Sequence, residues 1–452
     1  MKRLIFILFC TFSISLQAQL PAGNRQMGMV LEMAQNNNFD SATVRGLQLC
    51  MDYTHFVSNW AICETSPGQF NGVGMSFLDI INVYYPAWGV KVELSIPVLN
   101  TVAREVPADL DTVRFNSPVM ISRFRTYLDT LFAHIPAVDL VMLNIGNESD
   151  VLFANDPQLM ADFQVFYDSS ARYARQRYQQ LYNRPLKIGT ALTWSGLTSP
   201  SLSAPLAQLN LLSDVIAVTY YPLTGNFQMR APNSPLADFA ALTAIYNDTA
   251  RPVWFVECGY SSSDSCGSSY QAQADFYDYV FQAWDAHAAV IRGISPFLLH
   301  EWSQPVVDTL AVYYGLANNV PFKEYLRTLG IRTYAGNGVN KPAYEVIRCN
   351  VNARNFCATA CVLGVEETQP QELHAQPNPA SDFITFTLPP QAVLKTVEVY
   401  NLSGQLVSVW TAPQTATPAG FSVAELPAGV WLCRLQMTDG SVHTSRMVTT
   451  PR

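Results

Sequence analysis

Residues 141–150 read VMLNIGNESD, an apolar run that ends on a polar Asn147-Glu148 pair. Such a run is predicted to be a buried strand, and it delivers a carboxylate to its own carboxyl end. Residues 253–260, VWFVECGY, repeat the pattern and end their β-branched and aromatic run on Glu257. A carboxylate is costly to bring beside a core unless water, a partner or chemistry takes it up, so Glu148 and Glu257 are read together as a catalytic pair. The competing reading is two solvated acids at strand exits.

Outward from these two strands, residues 27–349 alternate short β-rich runs with amphipathic stretches, the pattern of parallel strands joined by helical crossovers. Eight strands are predicted, at 27–33, 56–62, 90–96, 138–145, 186–193, 215–221, 253–257 and 291–298. Between them Leu159, Phe163, Phe166, Ala171, Ala174, Tyr178 and Leu181 share one helical face. Further helices are predicted at 119–132, 238–246 and 272–285, and Lys341-Pro342 opens a last one running through Ile347. Eight such units predict an α/β chain, a (β/α)8 TIM barrel, in which catalytic groups sit at the carboxyl ends of the strands. Glu148 and Glu257 then end the fourth and seventh strands and face one cleft. A doubly wound sheet is the alternative, but the glycine-rich phosphate loop such folds often carry is missing.

The chain opens with Met1-Lys2-Arg3, an apolar run over 4–16 and Gln17-Ala18-Gln19, so residues 1–18 read as a signal peptide. Its removal takes the formal charge of the 452-residue chain from −8 to −10, which disfavours nucleic acid and anionic lipid as partners. Residues 19–361 are the expected barrel domain. Residues 362–373, VLGVEETQPQEL, are polar and without periodicity and read as a linker. Residues 374–452 carry short alternating strands at 383–388, 396–400, 405–410 and 430–437, with turns at 401–404 and 439–440, and are predicted to form a small all-β sandwich. A monomer is expected.

Nine cysteines less Cys10, which leaves with the signal peptide, put eight in an exported chain and imply disulfides. Cys258 and Cys266 flank a serine-rich loop and are expected to pair, whereas connectivity among Cys50, Cys63, Cys349, Cys357 and Cys361 stays open. Cys433 reads as a buried strand residue. No histidine stands at ligand spacing beside the cysteines, so no metal is expected, and no cofactor.

Two carboxyls across a cleft can protonate a leaving oxygen and attack or stabilise an oxocarbenium-like centre. Asn147 has amide donors for a sugar hydroxyl beside the reacting carbon. At Asn147-Glu148 and Glu257 the chain resembles the clan A glycoside hydrolases, and DVIAVTYYP at 214–222 followed by VWFVECGY looks most like the endo-β-1,4-galactanase family. The resemblance implies a retaining endo-β-glycanase with Glu148 as acid/base and Glu257 as nucleophile, about 5–5.5 Å apart. It implies that Glu148 starts protonated while Glu257 stays ionised. It also implies that Tyr220 or Tyr221 hydrogen-bonds the nucleophile, that Trp302 in LLHEWS is the aromatic floor under the sugar, and that Trp302-Ser303 is a cis bond. Trp194, Trp60 and His300 are further candidates for the substrate cleft, and Glu64, His300 and Glu301 are otherwise expected at a solvated rim. One departure stands out, because the clan's arginine near the end of the second strand has no counterpart in 54–70. The alternative function is therefore a silent glycan-binding or adhesive surface protein on the same barrel.

The last eighty residues resemble the C-terminal sorting domain of the type IX secretion system, on PNPASD at 377–382, VYNLSGQLV at 399–407 and LPAGVWLCRLQ at 426–436. That resemblance implies secretion to, or display on, the surface of a Gram-negative cell, with the secretion machinery as a partner, while the glycoside hydrolase resemblance implies a polysaccharide substrate.

Overall fold

The computed structural model describes residues 20–357, 375–388, 393–401, 406–412, 420–438 and 442–450. The signal peptide, the linker, Cys361 and the turns at 402–404 and 439–440 lie outside the described residues. The chain divides into two compact units, 1–361 and 362–452.

The first unit is the TIM barrel expected from the alternating pattern. Its strands are Gln26–Met29, Tyr53–Val57, Lys91–Asn100, Leu140–Asn147, Ile188–Thr193, Ile216–Tyr220, Val253–Cys258 and Ile291–Pro296. Within this ring each runs parallel to its neighbours, and the first pairs with both the second and the eighth, which closes the sheet; the third also pairs antiparallel with the short strand Ala103–Arg104. The strands are apolar almost throughout because helices cover the outer face while side chains fill the interior. The longest helix, Pro157–Tyr182, shows how sharply a crossover is cut. Asp156 caps it by accepting from the Leu159 amide, Pro157 occupies its first turn, and Asn183 ends it in the left-handed conformation. Phe163, Phe166, Tyr167, Ala171, Ala174 and Tyr178 form its buried face.

The second strand differs from the sequence reading. It spans Tyr53–Val57, and Trp60–Cys63 is a short helix capped by Asn59, whose side chain accepts from the Ala61 amide. Apolar content misplaced the strand because its inward position after Tyr53 is the polar His55.

The cysteines also differ. Cys258 and Cys266 are both free and buried. Cys258 ends the seventh strand, whereas Cys266 sits in a 3-10 turn with its Sγ 3.5 Å from the Pro321 carbonyl. Closeness in sequence did not bring the two sulfurs together. The barrel is instead tied by Cys50–Cys357, across 307 residues, and Cys349 is disulfide-bonded too. Cys63 is a free buried thiol and Cys433 a buried one within its strand.

The second unit holds a four-stranded antiparallel sheet, ordered Leu406–Thr411, Leu394–Tyr400, Gly429–Met437 and Val442–Thr449, and a three-stranded one formed by Ala375–Gln376, Phe383–Phe386 and Phe421–Ser422. Ile384, Phe386 and Phe421 from one sheet and Val397, Val399, Cys433 and Leu435 from the other share one apolar core.

Candidate active site

Glu148 stands one residue past the fourth strand in a left-handed conformation, φ 48°. That region costs a side-chain-bearing residue about 1–2 kcal/mol. The turn is held by the Glu148 amide donating to the Ala191 carbonyl at 2.8 Å and by the Val151 amide donating back to the Glu148 carbonyl at 3.1 Å. Gly146, at φ 93°, makes the bend possible, since a Cβ there would lie 2.7 Å from Ser149 Oγ. The carboxyl so presented accepts from Thr101 Oγ1 at 2.8 Å and from Thr219 Oγ1 at 2.7 Å.

Glu257 is aimed by a different device. Between the sixth and seventh strands Val218 pairs with Phe255 but Thr219 pairs with Glu257, so Val256 is an extra residue. A bulge of this kind re-aims the side chain that follows it. Thr219 therefore neighbours Glu257 through the sheet register and reaches Glu148 through its hydroxyl. The structure brings both acids to one place, each half-buried.

Tyr221 donates to Glu257 Oε2 at 2.6 Å. Burial, followed by the charge of Glu148, pushes Glu257 up to about 7, against the opposing effects of His55 and the Tyr221 hydrogen bond. Two carboxyls this close and away from bulk water do not both ionise freely, so they titrate as a pair.

Next to Glu257 lies a group that the sequence reading missed. His55, from the second strand, is in register with Glu93 of the third, and its Nδ1 contacts Glu93 Oε2. Asn144 Nδ2 donates to the other oxygen, Glu93 Oε1, at 2.6 Å. Burial works against the imidazolium, but the charge and hydrogen bond of Glu93 and the charge of Glu257 outweigh it and push His55 up to about 8.

Asn147 is half-buried, and its Nδ2 donates to Asn100 Oδ1 at 3.0 Å. Asn100 in turn donates to Glu105 Oε1 at 2.7 Å, as does the Tyr313 hydroxyl at 2.8 Å. Its amide is thus orientated by a polar chain rooted in the loop after the third strand. Tyr313 is the last residue of Gln304–Tyr313, and with Val320–Arg327 this helix belongs to a long excursion after the eighth strand. Tyr314 and Tyr325 come from the same excursion, and burial together with the charges of Glu148 and Glu257 pushes both hydroxyls up. The length of the segment between the eighth strand and the last helix was the only signal for them.

The other aromatic candidates separate clearly. Tyr221 holds Glu257, whereas Tyr220 is buried and donates to Asp238 Oδ2 at 2.7 Å on the helix side of its strand. Trp60 is fully buried and donates to Glu64 at 2.7 Å, so it is core and not cleft. Glu64 is no rim residue either, because Arg123 pairs with it at 2.7 Å. His300 is also fully buried, with Nδ1 on the Glu32 carbonyl at 2.7 Å and Nε2 accepting from Arg332, and it cannot touch a ligand. Glu301 pairs with the buried Lys341 at 2.6 Å. Trp194 is half-buried with its Nε1 on the Asp238 carbonyl, and it packs on Tyr220 and Arg230, away from the acids. Trp302 is half-buried and donates to Glu32 Oε2 at 3.0 Å. Its ring meets Phe297 edge-on at 5.4 Å, and Phe297 meets Tyr221 at 5.7 Å, which links Trp302 to Glu257 through two rings. The non-proline cis bond among the described residues is Phe297-Leu298, just past the eighth strand, and not Trp302-Ser303.

Against known proteins, residues 375–450 match the family model described as the secretion system C-terminal sorting domain. No curated protein sequence matches the chain. Among solved structures the chain is similar to the exo-β-1,4-mannosidase Op5Man5 of Opitutaceae bacterium strain TAV5, at 16% identity and TM-score 0.55, over 73% of this chain and 60% of that one. The chain thus spans less than two thirds of that mannosidase. It is also similar to GH5_18 of Streptomyces cattleya in complex with GlcNAc, at 16% identity and TM-score 0.54, over 76% and 82%. A third similar structure is GH5_18 from Bifidobacterium longum subsp. infantis, at 13% identity and TM-score 0.55, over 76% and 83%. At these identities the likeness establishes the fold: residues 26–296 carry the eight strands of a TIM barrel of the kind these proteins share, followed by a tail that matches a secretion sorting domain.

Proposed function

We propose that the chain is an exported retaining β-glycosidase with Glu257 as nucleophile and Glu148 as acid/base. The observation that carries this reading is the arrangement of the two carboxyls, which end the fourth and seventh strands, share Thr219 and act on each other electrically. Tyr221 engages Oε2 of Glu257, which leaves Oε1 to attack the anomeric carbon. As that bond forms, the bond to the leaving oxygen breaks and Glu148 gives that oxygen its proton. Water then attacks the same carbon, loses its proton to Glu148 and releases Glu257. The productive form is the singly protonated pair with the proton on Glu148.

The substrate proposed first is a β-linked glycan. β-1,4-Galactan follows from the motif resemblance, and β-mannosides follow from the mannosidase among the similar structures. Asn147 is placed to bind a sugar hydroxyl, and Trp302 with Phe297 to line the sugar's apolar face. The tail supports an address function, with type IX secretion carrying the chain to the medium or the cell surface. The test is reducing-sugar release from galactan, mannan, xylan and glucan by the wild type, Glu148→Gln and Glu257→Gln. Release by the wild type and a loss of three orders of magnitude or more in each variant is expected, on the order of other two-carboxylate enzymes. Binding without release by all three proteins would favour the silent glycan binder.

A further inference from the structure

We propose that His55, held protonated by Glu93, is the resident cation of the cleft and a positioning residue that keeps the proton of the carboxyl pair off Glu257. The proposal rests on the glycosidase reading for its consequence in turnover, but not for its electrostatics. Three acids converge here, Glu93 from the third strand, Glu148 after the fourth and Glu257 from the seventh. The side chain of Glu93 is 1% exposed, so its charge needs a partner. Asn144 offers only a neutral donor to Oε1, and the group on Oε2 is the imidazole of His55. His55 is 12% exposed and so reaches from Glu93 towards the cleft. Residues 54–70 contain no arginine or lysine, and His55 is their only basic residue.

The same imidazole acts on Glu257, where it opposes the effect of Glu148 and Glu93. Singly protonated, the carboxyl pair has two forms of equal net charge, with the proton on Glu148 or on Glu257. A positive charge beside Glu257 favours the first, which is the productive one. Without the imidazolium, as in a His55→Gln variant, the balance moves to the second, and Glu257 is neutralised as a nucleophile. Hydrogen-bonded Tyr221 acts on Glu257 in the same direction as the cation but carries no charge. Glu93 has no direct part in the reaction. Its role is to set the titration of His55.

The test uses the full chain labelled in its six histidines, followed by imidazole 1H–15N correlation spectra against pH, with His55 assigned by its loss in His55→Gln or His55→Arg. His55 is expected to titrate about one unit or more above the ordinary value of about 6.5. Glu93→Gln should lower that midpoint by at least about one unit, and Glu257→Gln should lower it by a smaller but measurable amount, because the coupling is reciprocal. Both variants keep the shape of the side chain, so they report even if His55→Gln fails to fold. A midpoint at or below about 6.5, or one that Glu257→Gln leaves in place, overturns the proposal. The kinetic arm uses the glycan that the wild type cleaves. His55→Gln should lower kcat about tenfold or more with little change in KM, and His55→Arg should recover most of the loss. Equal losses in Gln and Arg variants would show a merely structural role and contradict it. If no glycan is cleaved, the spectroscopic arm still decides the electrostatic claim, and only the glycosidase reading fails.

Discussion

The floor of the barrel and its mouth are built by the same strands, two or three residues apart, and they are chemical opposites. Tyr53, Met142, Ala217 and Trp254 belong to a buried apolar cluster that fills the floor. One inward step along the same strands stand His55, Asn144, Thr219 and Glu257. The floor owes its stability to packing, which does not change with pH. The mouth holds three acids against one imidazole, so its stability is set by protonation. The difference teaches that the inward-facing positions of a single strand divide the work, with the amino-terminal half maintaining the closed barrel and the carboxyl-terminal half holding charges that packing alone would reject.

The comparison is broken most severely from the floor. Trp254→Ala empties a fully buried site and should cost about 3–5 kcal/mol, with Tm lower by on the order of 10 °C. The loss should be nearly the same at pH 5 and pH 9, as thermal unfolding at the two values will show. A strong pH dependence of that loss would mean that floor and mouth are not separate.

A smaller effect of opposite sign is expected at the mouth. Folding raises Glu257 to about 7, so the stability associated with its protonated form is full below its unfolded value of about 4.5 and is lost as pH rises through about 7. His55 is raised to about 8, so its contribution is full below about 6.5 and lost as pH rises through about 8. Glu257→Gln removes the first loss and should stabilise the protein at pH 8 by about 2–3 kcal/mol relative to its effect at pH 4.5. Urea titrations at both pH values check this. A variant that is less stable than wild type at pH 8 would contradict the charged mouth.

The two carboxylates were legible in the sequence because buried parallel strands are continuous apolar runs, and an acid at the end of such a run stands out. The group beside them was not. His55 lies in a five-residue strand containing Thr54, and its meaning depends on register with Glu93, 38 positions away. Reading Phe56 and Trp60 as strand apolars started the strand three residues late and hid the imidazole. Tyr220 and Tyr221 are neighbours in sequence, and only the point at which the strand ends decides that one faces Asp238 and the other Glu257. Trp60 and His300 were drawn to the cleft by their position near strand ends, but burial depends on what packs over them, and those partners, Glu64 and Arg332, come from capping turns and distant loops. Tyr314 and Tyr325 arrive from helices whose own apolar faces say nothing about the cleft they border.

The central claim is that Glu257 attacks the anomeric carbon while Glu148 handles the proton, and the product's anomeric configuration tests it most directly. With a substrate that the wild type cleaves, 1H NMR of the first product formed, before mutarotation, should show the configuration of the substrate retained. Glu257→Ala supplied with azide should give the inverted glycosyl azide. An inverted first product from the wild type would contradict the account.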